Sequence, residues 1–379
     1  MSVSPDTVDG TPISRLAFGA TGTGTAEQAT PEKDASRINL FRSAFELGIN
    51  VFDTAELYGG GYSEILLGRA FSHCRESVFI CTKFNPDNAS AIGIAQAVEG
   101  SLRRLGTDYI DLYQLHWPSP FVPFEESWNT LSRLLEEGKI RFFGVGNCSY
   151  EELLNYEFLS GGKITSVELP FNIAEPEIAK PFLSWACNAE KRLFAYSPLG
   201  QGRLCHSHSK TPILLEISER HSISENQLAL AWVMSHSGTV PVFQTSSLNH
   251  LRDNLAGASI SLNQKEIKEL ENAYATPPRE IRLSQVRIGS LDGREGYSSC
   301  EEALSNLHNW IPSPALLAER IRRGGHPPPL RLVGPNVEGL YCLDSFDFGG
   351  EMKKYWAWRL ASDEDAKVLA YIFDSQRKR

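Results

Sequence analysis

Four polar residues with complementary chemistry end, or closely follow, three consecutive apolar runs of the sequence. Asp53, Lys83 and His116 each stand at the end of such a run, and Tyr58 lies five residues beyond Asp53, just before three glycines. Short apolar runs of this kind predict buried strands. In a barrel of alternating strands and helices, catalytic residues lie at the carboxyl ends of the strands. Each residue alone has an ordinary structural explanation, such as turn capping or packing, but four on one face indicate a reactive site.

The chemistry that these side chains suit is the reduction of a carbonyl group. Hydride addition to the carbonyl carbon leaves an oxygen that needs a proton, and Tyr58 can supply it. A free tyrosine has a pKa of about 10, and a nearby ammonium lowers that pKa by favouring the phenolate. We expect Lys83 to have this effect and Asp53 to hold Lys83 by an ion pair. His116 can donate a hydrogen bond to the carbonyl oxygen.

A repeated pattern of strands and helices positions the four residues. Eight such repeats fill about 260 residues, and their strands are continuous apolar runs, as expected of a parallel sheet covered by helices. We therefore predict an α/β fold, specifically a (β/α)8 TIM barrel. The predicted strands are 15–18, 50–53, 78–82, 110–115, 141–145, 164–169, 192–196 and 240–243.

A doubly wound sheet is the alternative arrangement of such repeats. It would place the pattern G-x-G-x-x-G after the first strand, where a dinucleotide binds. The first glycine loop here has Gly19, Gly22 and Gly24, in the wrong order, which favours the barrel.

The composition is that of a globular protein with an acidic main part. Residues 1–276 carry 22 basic and 32 acidic residues, residues 277–379 carry 15 and 14, and the whole chain has a net charge of −9. This argues against nucleic-acid binding by the main part. The seven cysteines include no C-x-x-C pair, so we expect neither a disulfide framework nor a metal site. With no signal peptide or membrane-spanning run recognised, the expected location is the cytoplasm.

The pattern changes after two prolines at 277 and 278. We predict residues 1–276 as the barrel, beginning with a loose polar segment at 1–12, residues 277–300 as a linker, and residues 301–379 as a small α+β domain. Ser313 and Pro314 are a typical helix start, with Ser as the cap and Pro at the first helical position. Later elements are predicted as strands 330–333, 340–343 and 368–373 and helix 351–360.

The motifs around the four residues resemble those of the aldo-keto reductase family. Phe-Asp-Thr-Ala surrounds Asp53, Thr-Lys-Phe surrounds Lys83, and Asp-Leu-Tyr-Gln-Leu-His-Trp runs through His116. Gly-Val-Gly-Asn at 144–147, Ala-Tyr-Ser-Pro-Leu-Gly at 195–200 and the segment 251–254 agree as well. The resemblance covers roughly residues 13–275. It implies an NAD(P)H-dependent oxidoreductase that reduces a small aldehyde or ketone, or oxidises the alcohol.

The resemblance also implies a role for individual residues. Asp53, Tyr58, Lys83 and His116 match the family's catalytic tetrad, with Tyr58 as acid and base. The cofactor would be NADP(H), and NAD(H) is a second candidate, with Tyr196 stacked on the nicotinamide. The implied cofactor-binding residues are Asn147, Glu168, Tyr196, Ser197, Pro198, Leu199, Gln201, Gln244, Thr245, Ser246, His250, Asp253 and Asn254.

Three of these residues depart from the family pattern. Glu168 stands where the family commonly has Gln for the carboxamide, and it donates no hydrogen bond unless it is protonated. Gln244 and His250 stand where many members have basic residues for the adenosine 2′-phosphate, leaving Thr245 and Ser246 as donors. We therefore expect a weakened preference for NADPH, with NADH also used.

Aromatic residues just beyond the catalytic strands are the candidates for the substrate site. Phe84, Trp117 and Phe121 could line it, although aromatic side chains at a barrel mouth can also simply pack. Since barrels of this kind take specificity from their loops, no particular substrate is predicted.

The C-terminal segment weakly resembles ParB and sulfiredoxin-like domains. Their Gly-His-His-Arg or Gly-Cys-His-Arg signature is replaced by Asp-Ser-Phe-Asp-Phe at 344–348, which argues against nucleotide or DNA chemistry. The alternative is an added unit that packs on the barrel, forms a homo-oligomer or recognises a carrier. Arg320, Arg322 and Arg323 would form a solvated helix end or hold a phosphate.

Two other functions stay open beside the reductase. One is a cofactor-binding regulatory or scaffold protein that kept the barrel. The other is an isomerase or eliminating enzyme that uses bound NAD(P) transiently. The intact tetrad favours the reductase, and the added C-terminal domain is consistent with a biosynthetic enzyme.

Overall fold

The structure of the chain is a computed structural model. The residues it describes are 6–8, 10–119, 121–174, 176, 179–187, 191–200, 204, 212–274, 279–287, 314–322, 330–335, 339–343, 348–363 and 365–373. The chain divides into two compact units, the first ending at Tyr274. No helix in these described ranges is both long and apolar enough to span a membrane.

The first unit is built on a closed barrel of eight parallel strands, β3 to β10, in which β10 pairs with β3 to complete the ring. This confirms the predicted (β/α)8 fold. In chain order, the strands are β1 (Asp6–Val8), β2 (Thr11–Ile13), β3 (Ala17–Gly19), β4 (Val51–Asp53), β5 (Phe79–Phe84), β6 (Ile110–Leu115), β7 (Ile140–Gly146), β8 (Ile164–Pro170), β9 (Arg192–Tyr196) and β10 (Thr239–Phe243).

Helices separate these strands and cover the outside of the barrel. Ser224 caps one of them in a capping box with Gln227. Two helices, 212–221 and 264–274, were not predicted. The helices are α1 (Pro31–Glu46), α2 (Tyr62–Phe71), α3 (Ala91–Leu105), α4 (Phe124–Glu136), α5 (Tyr150–Ser160), α6 (Lys180–Cys187), α7 (Pro212–His221), α8 (Glu225–Met234), α9 (Leu248–Gly257) and α10 (Gln264–Tyr274).

The alternation of side chains along the strands separates two apolar layers. Val51, Cys81 and Leu112 belong to the cluster inside the barrel, whereas their neighbours along the chain pack outward against the helices. Because successive side chains of a strand point to opposite faces, the residues two positions further along face inward again. On β4 and β5 those residues are Asp53 and Lys83, so the strand pattern itself aims them into the barrel.

A short antiparallel hairpin, β1 and β2, precedes the barrel, with Val8 opposite Thr11 and Gly10 at φ 77° in the turn. Val8 and Ile13 are 0% and 2% exposed and join the cluster inside the barrel. The prediction of a loose segment at 1–12 was therefore wrong for residues 6–8 and 10–12. The burial of two apolar side chains stabilises the hairpin despite its polar neighbours.

The second unit contains a five-stranded sheet in the order β11-β15-β13-β14-β12. The predicted strands and helices of this unit are present. The strands are β11 (Arg279–Arg282), β12 (Val286–Arg287), β13 (Leu330–Val333), β14 (Tyr341–Leu343) and β15 (Lys367–Phe373), and the helices are α11 (Pro314–Arg322) and α12 (Phe348–Ala361).

The segment predicted as a linker contributes two strands to this sheet. β11 pairs with β15 and β12 pairs with β14, and Ile281, Leu283 and Val286 are buried in the unit's own core. The linker prediction was therefore wrong for residues 279–287. The remaining linker residues lie outside the described part of the chain.

The arginines singled out on α11 are only partly described. The Arg322 guanidinium donates to Glu319 Oε2 at 3.3 Å and to the Leu360 carbonyl at 2.7 Å, so it ties α11 to α12. The Arg320 side chain, Arg323 and residues 344–347 lie outside the described part.

Candidate active site

The centre of the site is an ion pair between Lys83 and Asp53. Asp53 is the last residue of β4, and Lys83 lies near the end of β5, its parallel neighbour. The Lys83 ammonium donates to Asp53 Oδ1 at 2.5 Å and to the Thr54 carbonyl at 3.1 Å. Lys83 is 1% exposed and Asp53 is 3% exposed, so this pair is held in a low-dielectric interior.

Glu168 on β8 brings a second carboxylate to the same ammonium. Its Oε1 lies 3.2 Å from Lys83 Nζ, and the residue is 4% exposed. Gln114 on β6 adjoins Glu168 and donates to Ser166 Oγ at 3.4 Å. From the sequence, Glu168 was predicted to bind the cofactor alone, and neither its contact with Lys83 nor the presence of Gln114 was predicted. A glutamine inside an apolar strand was the available signal.

Tyr58 and His116 complete the cluster. Lys83 Nζ lies 5.4 Å from the centre of the Tyr58 ring, and its charge acts to lower the pKa of the phenol. The Tyr58 and His116 rings meet edge-on, with their centres 5.8 Å apart. The structure thus brings together the four residues that the sequence placed at the ends of β4, β5 and β6.

The acidity of Tyr58 differs from the expectation. Burial raises the pKa of Tyr58 to about 12, and the charges of Asp53 and Glu168 oppose the lowering that Lys83 exerts. The predicted lowering of this pKa was therefore wrong, because one ammonium is shared with two carboxylates and the phenol is itself buried. At neutral pH Tyr58 is a protonated phenol, which is the form that an acid catalyst needs.

His116 is neutral at working pH. Burial, followed by the Lys83 charge, lowers the pKa of His116 to about 3. A neutral imidazole carries one N–H donor and one acceptor nitrogen. His116 can therefore donate a hydrogen bond to a substrate oxygen, as expected, without adding a positive charge to the site.

Asn147 links three parts of the barrel mouth. Its side-chain amide donates to the His116 carbonyl at 3.0 Å, and its Oδ1 accepts from the Tyr196 hydroxyl at 2.9 Å. Its backbone N–H donates to the Glu168 carbonyl at 2.9 Å. Close packing surrounds this link, since a Cβ at Gly146 would lie 2.5 Å from the His116 carbonyl oxygen.

Two residues at the mouth have left-handed backbone conformations that glycine adopts most easily. Asn147 and Ser197 both have φ of 52°. A left-handed conformation costs an ordinary residue roughly 1–2 kcal/mol. The chain retains two polar side chains here despite this cost, at the ends of β7 and β9.

The predicted adenosine end of the site lies around the start of α9. Gln244, Ser246 and His250 are exposed, whereas Thr245 is buried and its Oγ1 accepts from the Ser247 N–H at 3.1 Å. Ser247 caps α9 by accepting from the His250 N–H at 3.4 Å. The described side chains at 244–250 therefore offer polar donors but no arginine or lysine.

Arg37 on α1 is the cation that the sequence analysis missed here. Its guanidinium donates to the Thr245 carbonyl at 3.3 Å and to the Gly22 carbonyl at 3.2 Å. It therefore joins the first glycine loop to the segment before α9. The sequence carries no motif around Arg37 that would have marked this contact.

The remaining predicted cofactor residues differ in their surroundings. Asp253 accepts from Ser224 Oγ at 3.1 Å and from Gln227 Nε2 at 2.9 Å, so its carboxylate holds α9 to α8. Asn254 and Pro198 are buried, and Leu199 is partly buried against the core. Gln201 lies outside the described residues.

Of the aromatic residues predicted to line the substrate site, Phe84 does not. It is 0% exposed and packs in the outer layer against Tyr113, because it follows inward-facing Lys83 on the same strand. Trp117 does lie at the mouth, with its ring centre 4.7 Å from that of His116. Phe121 is 73% exposed on the loop before α4.

Residues at this mouth fit a nicotinamide group. The Asn147 amide is exposed, and Glu168 Oε2 is a buried oxygen without a hydrogen-bond partner. Tyr196 presents a partly exposed ring at the end of β9. A carboxamide needs both donors and acceptors and a planar ring needs a flat surface, and these three side chains supply them.

Comparisons with known proteins agree with this site. The model of the aldo/keto reductase family matches residues 15–275. The chain is 36% identical over 272 residues to the methylglyoxal reductase YeaE of Escherichia coli, covering 70% of this chain and 95% of that protein. It is also 35% identical over 206 residues to the aldo-keto reductase YhdN of Bacillus subtilis, covering 52% of this chain and 61% of that protein.

Solved structures give the same result. A thermostable aldo-keto reductase, Tm1743, superposes with a TM-score of 0.67 at 31% identity, covering 72% of this chain and all of that one. An aldo-keto reductase of Klebsiella pneumoniae in complex with NADPH gives 0.66 at 29% identity, covering 73% of this chain and 98% of that one. The family match ends at residue 275, so it gives no support to the resemblance of the C-terminal segment to ParB and sulfiredoxin-like domains.

Proposed function

Because the chain belongs to the aldo/keto reductase family, we propose that Asp53, Tyr58, Lys83 and His116 are the catalytic residues of an NAD(P)H-dependent carbonyl reductase. The observation that carries this proposal is one buried ammonium that donates to Asp53 and lies 5.4 Å from the centre of the Tyr58 ring. NADP(H) is the cofactor of this family, and the chain is an oxidoreductase that reduces an aldehyde or ketone.

Tyr58 supplies the proton of the reduction. When bound, the nicotinamide supplies the hydride to the carbonyl carbon. As negative charge develops on the carbonyl oxygen, Tyr58 O–H transfers its proton there and becomes a phenolate, which Lys83 stabilises. Asp53 fixes the Lys83 ammonium, and neutral His116 donates a hydrogen bond that orients the oxygen. The product is an alcohol, and Tyr58 regains its proton from water.

The two directions of the reaction need different forms of Tyr58. Oxidation of an alcohol needs Tyr58 as a phenolate base, and the raised pKa of about 12 leaves little phenolate at neutral pH. Reduction needs the phenol, which is the dominant form. Stabilisation of the phenolate by Lys83 then acts after proton transfer has begun.

The cofactor would be held by residues on three sides of the mouth. Asn147 and Glu168 would bind the carboxamide, Tyr196 would stack on the nicotinamide ring, and Thr245 and Ser246 would lie toward the adenosine phosphate. The lack of arginine and lysine at 244–250 supports a weakened NADPH preference. The described contacts of Asp253 favour a structural role instead.

A small 2-oxoaldehyde is the first substrate class to test. The relative named methylglyoxal reductase is matched over almost its whole length. Trp117 beside His116 offers a flat apolar wall next to the group proposed to orient the carbonyl oxygen, which suits a small planar dicarbonyl.

The test is NADPH and NADH oxidation by the purified protein with methylglyoxal and a panel of aldehydes and ketones. Saturable, carbonyl-dependent oxidation supports the proposal. Tight cofactor binding without turnover of any carbonyl would favour the regulatory or scaffold alternative. Conversion of a substrate with no net cofactor consumption would favour the isomerase or eliminating enzyme.

Assembly of the chain through its second unit is a separate proposal, and the family match, which ends at residue 275, gives it no support. Sedimentation of the full chain tests it directly. A mass of one chain of 42.1 kDa across micromolar concentrations would exclude the homo-oligomer.

A further inference from the structure

The cluster around Lys83 has an unbalanced number of carboxylates. Asp53 and Glu168 both lie within hydrogen-bonding distance of the single Lys83 ammonium, at 2.5 and 3.2 Å, and none of the three is more than 4% exposed. With both carboxylates ionised, the buried cluster would carry a net charge of −1. An uncompensated buried charge is costly, so such groups take up a proton instead.

The described residues around the cluster supply no second cation. His116 faces it from the end of β6 but is neutral, since burial lowers the pKa of His116 to about 3. The Cys81 thiol lies two residues before Lys83 on β5. It is also neutral, because burial raises the pKa of this thiol well above its ordinary value. The described groups that face the carboxylates from neighbouring elements are Tyr58, Cys81, Gln114 and His116.

The geometry distinguishes the two carboxyl groups. Asp53 has the shorter contact with Lys83, whereas Glu168 has the longer one and its Oε2 has no hydrogen-bond partner. Oε1 of the adjoining Gln114 is likewise buried without a partner. A proton on Glu168 would add a donor where acceptors outnumber donors, so Glu168 is the better place for it.

We propose that Glu168 is a positioning residue of the reduction that works as a neutral carboxylic acid, leaving the Lys83 ammonium to Asp53 and Tyr58. This proposal rests on the carbonyl-reductase function proposed above. Glu168 keeps its proton through the reaction, and no proton passes from it to the substrate. Its ionisation would place a second negative charge beside Lys83.

The consequence is a reduction that weakens at alkaline pH. Burial and the Asp53 charge raise the pKa of Glu168 to about 8, so the acid form dominates below this pH and the carboxylate above it. The charged form opposes formation of the Tyr58 phenolate, because its charge raises the Tyr58 pKa. A protonated carboxyl also has one donor and one acceptor, as the amide of a glutamine does.

The experiment compares kcat for reduction from pH 6 to pH 10 in the wild type and in Glu168→Gln. In the wild type we expect a loss of about fivefold or more on passing from pH 7 to pH 9.5, following one ionisation. In Glu168→Gln, which cannot ionise, this loss should disappear or move at least about one pH unit higher. An alkaline loss unchanged in Glu168→Gln would overturn the proposal.

Infrared spectroscopy tests the protonation state without turnover. We expect a buried protonated-carboxyl band in the wild-type protein at pH 6.5 that disappears through the alkaline transition and is absent from Glu168→Gln. The matched control is Glu266→Gln, which removes another buried glutamate, one bonded to Arg220 and His221 away from the site and with a lowered pKa. This control should keep the band.

The two proposals fail in different ways. Loss of the proposed function would appear as a wild-type protein that reduces no carbonyl, whatever the infrared spectrum. An active wild type without a protonated-carboxyl band at pH 6.5 would overturn only the role of Glu168. The wild-type band is measurable even if Glu168→Gln does not fold.

Discussion

The two ends of the proposed cofactor site differ in the charge and the burial of their side chains. Around Lys83, two carboxylates and an ammonium are almost completely excluded from water. Around the start of α9, Gln244, Ser246 and His250 are exposed, and the cation nearby, Arg37, donates to two backbone carbonyls. One end concentrates charge in the interior, and the other offers uncharged groups to solvent.

The difference shows why one end should resist change and the other should tolerate it. A charge interaction is several times stronger in the protein interior than at a solvated surface, and salt screens the surface interaction further. The buried charges also shift the pKa values of their neighbours, as Glu168 does for Tyr58 and Asp53 does for Glu168. Substitutions at the buried end should therefore alter the chemistry, and substitutions at the exposed end should alter the choice of cofactor.

The largest expected effect is at Tyr58. Tyr58→Phe removes the proton donor and should lower kcat for reduction by about 10³-fold, within the range for a lost acid catalyst. The dissociation constant of NADPH, measured by fluorescence, should stay within about threefold, since binding lies with other residues. Tyr150→Phe, a ring packed against Phe182 on α6, is the control. A kcat for Tyr58→Phe within tenfold of the wild type would exclude Tyr58 as the acid.

The second effect separates the two carboxylates of the buried end. Asp53→Asn leaves Lys83 with Glu168 as its only carboxylate, so we expect kcat to fall by about 10–100-fold with little change in KM. Because the Asp53 charge helps to raise the Glu168 pKa, removing it should shift the alkaline loss of activity to lower pH. A pH profile of Asp53→Asn superimposable on that of the wild type would contradict this coupling.

The third effect is a change of cofactor preference at the exposed end. The double variant Gln244→Lys, His250→Arg restores two cations, and charge-assisted hydrogen bonds of about 1.5–3 kcal/mol should raise the NADPH-to-NADH ratio of kcat/KM at least tenfold. The gain should shrink at high salt. Asn249→Lys, an exposed neighbour, is the control for nonspecific positive charge. A wild-type protein that already prefers NADPH by a hundredfold or more would contradict the weakened preference.

The smallest effect is at Phe121, an exposed ring beyond the buried end. Phe121→Ala should change the free energy of unfolding by less than about 0.5 kcal/mol, as expected for a surface substitution. KM for methylglyoxal should change by less than about threefold, measured beside kcat. A tenfold rise in KM would show that the ring closes over the substrate.

The barrel and the meeting of its four proposed catalytic residues were predictable because both follow from local patterns. Continuous apolar runs marked the strands, and polar residues at their ends marked the reactive face. The same period-two rule that aims Lys83 inward also places Phe84 outward, so the error at Phe84 was avoidable from the sequence.

Other features depend on contacts between distant segments and could not be predicted from the sequence. The hairpin β1–β2 is stabilised by Val8 and Ile13 inside the barrel, and β11 by its pairing with β15. The raised pKa of Tyr58 arises from burial and from Glu168, which lies 110 residues further along the chain. Patterns within a short stretch of sequence give the sign of each charge but not how deeply the charged side chain is buried.

The order of the C-terminal sheet has a consequence for the synthesis of the chain. β15, close to the last residue, lies between β11 and β13 and pairs with both. The barrel strands have all been synthesised by residue 243, but the second sheet cannot close until β15 has emerged from the ribosome. Premature termination near residue 366 would therefore remove the strand that joins β11 to the rest of the sheet. A late nonsense mutation would thus disrupt the sheet of the second unit.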